Sequence, residues 1–534
     1  MQLDESKQYS PEIAVLLQQM HDDITALREQ LKKRDAEIER LTQMLLNAQR
    51  ARFGQRSEKH TYVINDGSEQ LSVFSLFNEA EQEQSESAPE PTAETFVTVP
   101  EHSRKKKRTV EELRKDFPSK EVVYELQPEQ LVDKYGYRYE CIGREFVRTE
   151  MNILPQQIVF IDYYRNIYAS KQYEKETGTA HILKPELPQP VMKHSLASPS
   201  SVADVMTRKY VSGLPLYRQE QEWKRRGVDL SRNTLANWVI TPTNTWFMPL
   251  YDLLRRSLLG QSVIHADETH LQVLKEDGKP ASSQSEMWVY ASAQRSSRQI
   301  RYFDYRDSRS GECAKEFLKG FHGVLISDGY SGYNKPENVI RAGCWAHARR
   351  KWREAMPKGV KAETSKAAQG YEYCSRLFML ERKLAKLPDD ERLAERRKIV
   401  QPFLDEYWAW LESFLPEKGS KLEDAVRYSL NQREYLCAFL NHGEIEISNN
   451  PVENAIRPFV VGRKGWLFCD TPKGATASAV VYTIVETAKA NGLDPYRYLL
   501  RLLTYLPMYG KNPSDEKLEA LLPWSDAMKS ECSV

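Results

Sequence analysis

The sequence predicts a multidomain α/β protein, an α/β core joined to separate helical and β-rich pieces. Three observations point there. The chain has 534 residues, more than one hydrophobic core usually holds. Between residues 262 and 347, short β-branched and aromatic runs alternate with helical patterns, and residues 361 to 440 then read as helix alone. Ahead of both lies a heptad pattern and a long polar stretch without periodicity.

In chain order, the first element spans 12–50. Leu17, Met20, Ile24, Leu27, Leu31, Arg34, Ile38, Leu41 and Leu45 recur in steps of three and four, and no Gly or Pro interrupts them. A narrow a/d stripe of this kind fits the seam of a dimeric coiled coil; a lone amphipathic helix docked on its own domain is the alternative. Residues 51–120 read as a linker. Arg50 to Lys59 is basic, Glu79 to Glu94 is rich in Glu, Ser and Pro, and Arg104-Lys105-Lys106-Lys107-Arg108 is a basic cluster. That cluster can contact phosphates or stay solvated. Residues 121–195 turn β-like, with Val122–Tyr124, Phe146–Val147 and Ile158–Tyr164 as strand runs.

Residues 196–250 form a helical unit. Ser201 to Val211 and Leu216 to Arg226 are amphipathic, Gly227 breaks the chain, and Ser231 is an N-cap for a third helix to about Ile240. Leu230 and Leu235 have the spacing of a hydrophobic staple. Helix, Gly-containing turn, helix is the helix-turn-helix pattern, which also occurs in proteins that bind no DNA. In it, Arg225 and Arg226 flank the turn, Arg232, Asn233 and Asn237 face outward as candidate DNA contacts, and Trp238 packs inward.

The core follows at 258–356 and resumes at 446–490, with a helical insertion at 357–445 and an appendage at 491–534. Val263–Ala266, Met287–Ala293 and Gln299–Tyr305 are strands, Ala314–Leu318 a helix, Val324–Ser327 and Val339–Cys344 strands, and Trp345–Ala355 a helix. Three strands, a helix and a strand are the order of a ribonuclease-H-like core. A final helix, Ala475–Ala490, is apolar enough to be buried.

Three acids in this core suggest chemistry. Asp267 stands at the end of the first strand, where alternation sends Glu268 to the other face. Asp328 follows the fourth strand in an Asp-Gly pair, which is also a common turn. Glu453 lies in Asn449-Asn450-Pro451-Val452-Glu453. With Asn450 as N-cap and Pro451 at N1 it falls at N3, so a capping-box role competes with a catalytic one. Three carboxylates on separate rigid elements could hold two divalent ions that stabilise both the attacking and leaving oxygens of a phosphodiester. His347, Arg350, Arg457 and Lys464 are candidates to approach a phosphate nearby. The Cys344/His347 pair lacks two further ligands for zinc.

Composition limits the alternatives. A net charge of +1 gives no overall attraction to polyanions, so basic contacts must be local. No apolar run approaches the ~20 residues of a membrane span. The start MQLDESKQYS lacks the regions of a signal peptide, and seven cysteines without a C-x-x-C pair fit a reducing cytoplasm. No phosphate-binding G-x-x-x-x-G-K-[ST] loop occurs.

These residues resemble the insertion-sequence-66 family of transposases. The resemblance rests on Arg52-Phe53-Gly54-Gln55-Arg56-Ser57-Glu58-Lys59, Leu214 to Glu220, His265-Ala266-Asp267-Glu268-Thr269, Ser327 to Asn334, Gly343 to Lys351, and Asn450 to Pro458, in order from about residue 12 to 510. It implies a bacterial DDE transposase with Asp267, Asp328 and Glu453 as its acidic triad, two Mg²⁺ or Mn²⁺ ions per site, and strand cleavage and transfer at terminal inverted repeats. The implied partners are element ends, target DNA, a second copy or higher oligomer, and accessory proteins of the same element. Nucleoid association follows when DNA is bound. A catalytically inactive DNA-binding regulator and a structure-specific nuclease remain alternatives. One departure stands out. The family carries a cysteine-rich zinc module where residues 121–190 hold only Cys141, so no structural zinc is expected.

Overall fold

The computed structural model describes residues 191–356 and 365–534 throughout. Before residue 191 it describes 19–20, 22–30, 33–34, 37, 158–164, 168–169, 178–179, 182–183 and 189–190. Contacts divide the chain into two units, Gln55–Ile182 and the remainder. Among the described residues no helix is long and apolar enough to cross a membrane.

The described heptad residues are helical, and Met20, Ile24 and Leu27 are exposed. Leu17, Leu31, Ile38, Leu41 and Leu45 lie outside the described residues, as does the 51–120 linker. Ile158–Tyr164, expected as a strand, has no regular structure and is exposed. β-branched and aromatic composition favours a strand only where a neighbour completes the ladder. Tyr168–Ala169 and Ile182–Leu183 form a two-stranded sheet.

The helical unit follows its capping chemistry. α1 (Pro199–Tyr210) starts at Ser198, whose hydroxyl accepts the Ser201 N–H. α2 (Leu216–Arg225) ends near Gly227, which has φ +84°, a conformation that favours glycine. α3 (Arg232–Pro242) is capped by Ser231, whose Oγ accepts the Thr234 N–H at 3.1 Å. Leu230, Leu235 and Trp238 are buried as the staple and inward packing require, and Arg225, Arg226, Arg232, Asn233 and Asn237 are exposed. Buried Gln219 ties α2 to α1 by donating to the carbonyls of Val205 and Leu214. A π-helical turn, Thr243–Phe247, leads into α4 (Met248–Leu259).

Five strands form the central sheet: β1 (Val263–Gln272), β2 (Gln284–Ser292), β3 (Arg301–Arg306), β4 (Val324–Ser327) and β5 (Ile340–Gly343), in the order β3-β2-β1-β4-β5. β1–β2 and β2–β3 are antiparallel, whereas β1–β4 and β4–β5 are parallel. α5 (Gly311–Phe317) links β3 to β4, and α6 (Trp345–Ala355) follows β5. β1 is longer than expected. Its ladder with β2 continues from Ile264 to Gln272, so Asp267 is mid-strand rather than terminal. On the other side β4 pairs only with Val263–His265, and there Asp267 does lie just past a strand end.

Strand alternation makes the sheet a partition between two cores. Ile264, Ala266 and Leu325 pack with the helical unit, whereas Val263, Val324, Ile326 and Ala342 pack with α6 and the insertion. The insertion holds α7 (Lys366–Leu384), α8 (Asp389–Glu395), a π turn at Arg396–Val400, α9 (Gln401–Glu412), α10 (Lys421–Asn431) and α11 (Arg433–Cys437). Its packing on α6 is close, because a Cβ on Gly370 would overlap the Trp352 indole. Trp352 Nε1 donates to Tyr407 Oη at 3.1 Å, and that hydroxyl donates to Ser429 Oγ at 3.0 Å.

α12 (Asn450–Trp466), α13 (Pro472–Ala490) and α14 (Pro495–Tyr509) come next, followed by two short helices, Asp515–Glu519 and Asp526–Cys532. α13 covers the edge strand β3. Thr483 and Thr487 lie four residues apart on its face and accept the N–H groups of Phe303 and Arg301 at 2.8 and 3.0 Å. Edge N–H groups that would otherwise recruit another strand are thereby satisfied. The C-terminal stretch, expected as an appendage, contributes Tyr498, Leu499, Leu502, Leu503 and Leu506 to the first core.

Arg396 is fully buried in the insertion. It binds both Glu381 oxygens, at 2.9 and 2.6 Å, and donates to the carbonyls of Phe439, His442 and Ile445. Removing one partner of such a pair leaves a buried charge uncompensated. Arg396→Ala is expected to destabilise the protein by about 3–5 kcal/mol, read by urea unfolding. A loss below ~1 kcal/mol would refute the role given to this network.

Candidate functional site

The parallel register sets the first two acids side by side. Val263 pairs with Val324, Ile264 with Leu325 and His265 with Ile326. Continued by two residues, that register puts Asp267 level with Asp328, on one face of adjacent strands spaced about 4.8 Å apart. Asp328 also performs the turn role read from its Asp-Gly pair, since Oδ1 accepts the Tyr330 N–H at 2.9 Å. Arg341 donates to its carbonyl at 2.6 Å and fixes the backbone there.

Glu453 corrects the capping expectation. The N-cap is Asn449, not Asn450, and makes no side-chain cap bond; Glu453 is thus the fourth helical residue of α12, not N3. Its carboxylate is turned inward instead. Oε2 accepts from Arg350 at 3.2 Å, and Oε1 faces His347 Nδ1 at 3.6 Å. Both Oε1 and that Nδ1 are buried without a hydrogen-bond partner. Arg457, four residues on, donates to Asn454 Oδ1 at 2.9 Å.

Asn449, not singled out in the sequence, clamps these elements. Its Nδ2 donates to the Ala266 carbonyl at 2.9 Å, and its Oδ1 lies 3.1 Å from His265 Nδ1. Its N–H donates to Cys344 Sγ at 3.1 Å, and its carbonyl accepts the Glu453 N–H at 3.1 Å. That last bond spans four residues and opens the hydrogen-bond ladder of α12. The residue was invisible as a site member because its partners lie 183 and 105 positions away.

The electrostatics follow from this crowding. Burial, with the charges of Glu268, Asp328 and Glu453, pushes the Asp267 carboxyl well above the usual aspartate range. Glu268, as alternation required, is engaged elsewhere. Oε1 accepts twice from Arg309, at 2.9 and 2.6 Å, and Oε2 accepts from the Tyr333 hydroxyl. Burial lowers the tendency of the His347 ring to protonate, and it raises the Cys344 thiol to about 12. Glu453 Oε1 is buried without a hydrogen-bond partner. The charges of Asp328 and Glu453 reach Asp267, but among the described residues the three acids do not form a group whose ligand oxygens lie within 4.8 Å of one another. Carboxylates gathered in this way suit a hard divalent cation such as Mg²⁺ or Mn²⁺ only if the side chains draw closer around it.

The other candidates separate by distance. His347 and Arg350 adjoin Glu453. Arg457 is one turn farther along α12, and Lys464 is exposed about 16 Å along the helix axis from Glu453. Arg463 reaches back to β1, with Nη1 3.4 Å from Thr269 Oγ1. Arg232, Asn233 and Asn237 project from α3 of the helical unit.

The chain matches the family model described as Transposase IS66 family over residues 194–477. The chain belongs to that family. Two shorter models also match, the IS66 C-terminal element over 483–524 and Transposase C of IS166 homeodomain over 40–122. Relatives in Sinorhizobium fredii (strain NBRC 101917 / NGR234) include the uncharacterized protein y4qI, 30% identical over 520 residues, which are 94% of this chain and 92% of that one. The uncharacterized protein y4hP of the same organism is 26% identical over 421 residues, 75% of this chain and 74% of its own. An IS66-family transposase is expected to bind DNA.

A folded-state carboxyl raised above its unfolded value stabilises the protein at low pH, and that contribution is lost as pH rises through the folded value. In chelator, Asp267→Asn is therefore expected to be the more stable protein above the ordinary aspartate range, by about 1 kcal/mol at pH 8. The gap narrows toward pH 4. Thermal unfolding across pH measures it, and a wild type as stable as the variant at pH 8 would count against the like-charge crowding.

Proposed function

We propose that this IS66-family protein cuts and joins DNA as a DDE-type transposase, with Asp267, Asp328 and Glu453 holding two divalent ions, Mg²⁺ or Mn²⁺. The observation that carries the reading is the burial of Asp267 within reach of the Asp328 and Glu453 charges, at the point where the parallel pairing of β1 with β4 ends. The β3-β2-β1-β4-β5 order, with β2 antiparallel to its neighbours, supports a ribonuclease-H-like core.

When bound, such ions would supply charge stabilisation for the attacking and leaving oxygens of a phosphodiester. The chain's own residues supply position. Asn449 and His265 hold the Glu453 end of α12 against β1, and Arg341 holds the Asp328 backbone. Arg350 offsets part of the Glu453 charge and keeps one of its oxygens directed. Glu268, locked by Arg309 and Tyr333, keeps its charge close without competing as a ligand.

Recognition of terminal inverted repeats is assigned to the helical unit, where Arg232, Asn233 and Asn237 stand exposed on α3. The exposed Met20, Ile24 and Leu27 on the described part of the heptad helix support pairing of two copies by a coiled coil. Target DNA and accessory proteins of the same element complete the proposed partners. The compartment is the cytoplasm, at the nucleoid when DNA is bound.

Asp267→Asn, Asp328→Asn and Glu453→Gln are each expected to reduce Mg²⁺-dependent cleavage of labelled element ends by at least about 10³-fold while end binding persists. Near-normal strand transfer by any variant removes that residue from the triad, and a wild type that shifts the DNA without ever nicking it is a regulator. Asn233→Ala with Asn237→Ala should weaken binding to element ends by about 1–3 kcal/mol per lost base contact, against little change on unrelated DNA. Equal loss on both DNAs would assign these residues to backbone contact alone.

A further inference from the structure

The C-x-x-H pair, two ligands short in the sequence, gains a third in space. Ligand atoms of Cys344, His347 and Glu453 all lie within 4.8 Å of one another. The spacing produces this directly. Cys344 is the N-cap of α6 and His347 its third helical residue, so both side chains stand over the first turn, and the start of α12 brings Glu453 to them.

Each ligand atom is prepared in a different way. Cys344 Sγ accepts the Asn449 N–H at 3.1 Å and further backbone N–H groups from Ala346 and His347. N–H donors around a sulfur stabilise a metal-bound thiolate. His347 Nδ1 and Glu453 Oε1 are buried, unpartnered and 3.6 Å apart. That matches the separation of two ligands on one tetrahedral zinc, on the order of 3.5 Å. Arg350 holds the other Glu453 oxygen and leaves Oε1 directed at the pair.

We propose that Cys344, His347 and Glu453 form a soft-metal site for Zn²⁺ or a similar borderline ion, sharing Glu453 with the proposed Mg²⁺ centre. Thiolate and imidazole favour zinc strongly over Mg²⁺, which prefers oxygen and retains its waters. Binding releases the Cys344 thiol proton to solvent. One thiolate and one carboxylate then balance the dication, and nothing is oxidised or reduced. Three protein ligands leave a fourth position open to water. Zinc there withdraws Glu453 from the Mg²⁺ site, so the occupied protein is inhibited. Only this inhibition rests on the proposed transposase reading, since the ligand set stands without it.

Cobalt(II) titrated into the full-length protein is the test. One equivalent should give a thiolate-to-cobalt charge-transfer band that zinc abolishes and Mg²⁺ does not. Cys344→Ser should lose the band, and His347→Gln, which keeps the thiol, should bind cobalt at least about ten-fold more weakly. Zinc should suppress Mg²⁺-dependent cleavage by the wild type and leave the residual cleavage of Cys344→Ser unchanged. No band in the wild type, a band that survives Cys344→Ser, or wild-type cobalt affinity in His347→Gln overturns the site. A protein that shows the band and its loss but never cleaves DNA refutes the transposase reading and leaves the metal site standing.

Discussion

The candidate site depends on one asparagine, through both its carboxamide and its backbone. Asn449 bonds sideways to β1 through the Ala266 carbonyl and the His265 ring, backward to the start of α6 through Cys344, and forward to Glu453 as the first carbonyl of α12. Every one of its polar groups is therefore used, and none reaches water. A buried polar group is favourable only when its partners are present together. β1, α6 and α12 must accordingly be in place at once, or Asn449 is left with unmet bonds. This links the Asp267 strand to the Glu453 helix across the 183 positions from Ala266 to Asn449.

Around that clamp the protein accepts an electrostatic cost. Asp267 is crowded by Glu268, Asp328 and Glu453, while Arg350 at Glu453 and Arg309 at Glu268 bring positive charge to the neighbours rather than to Asp267 itself. Such unfavourable crowding is the usual trade of stability for function, and the proposed cations would relieve it. The rigid parts of the fold offset it from a distance. The Arg396–Glu381 pair secures the insertion behind the loop leading to Asn449, and α13 seals the edge of the sheet.

Much of this was legible in the residues. The strand positions, the helical insertion, the staple of Leu230 with Leu235, and the separation of Asp267 from Glu268 all follow from local periodicity and capping. What local pattern could not supply was the length of β1, because its continuation past Ala266 depends on pairing with β2. Nor could it place the N-cap of α12. Asn449 and Asn450 are equivalent on paper, and the choice between them rests on contacts with β1 and Cys344. The C-terminal stretch reads as peripheral for a similar reason, since its leucines find their partners on helices nearly three hundred residues earlier. Ile158–Tyr164 errs in the opposite sense, with strand composition but no strand.

The register between β1 and β4 has a consequence for how such proteins change over time. Asp267 and Asp328 are level because Val263 sits beside Val324, and not because 61 residues separate them. Residues gained or lost in the turns between the strands leave that alignment untouched, whereas a slip of one position within either strand turns an acid to the opposite face. Lineages of this fold are therefore free to vary the distance between their first two acids along the chain. A search for distant cousins should hold the strand alignment fixed and let the interval float.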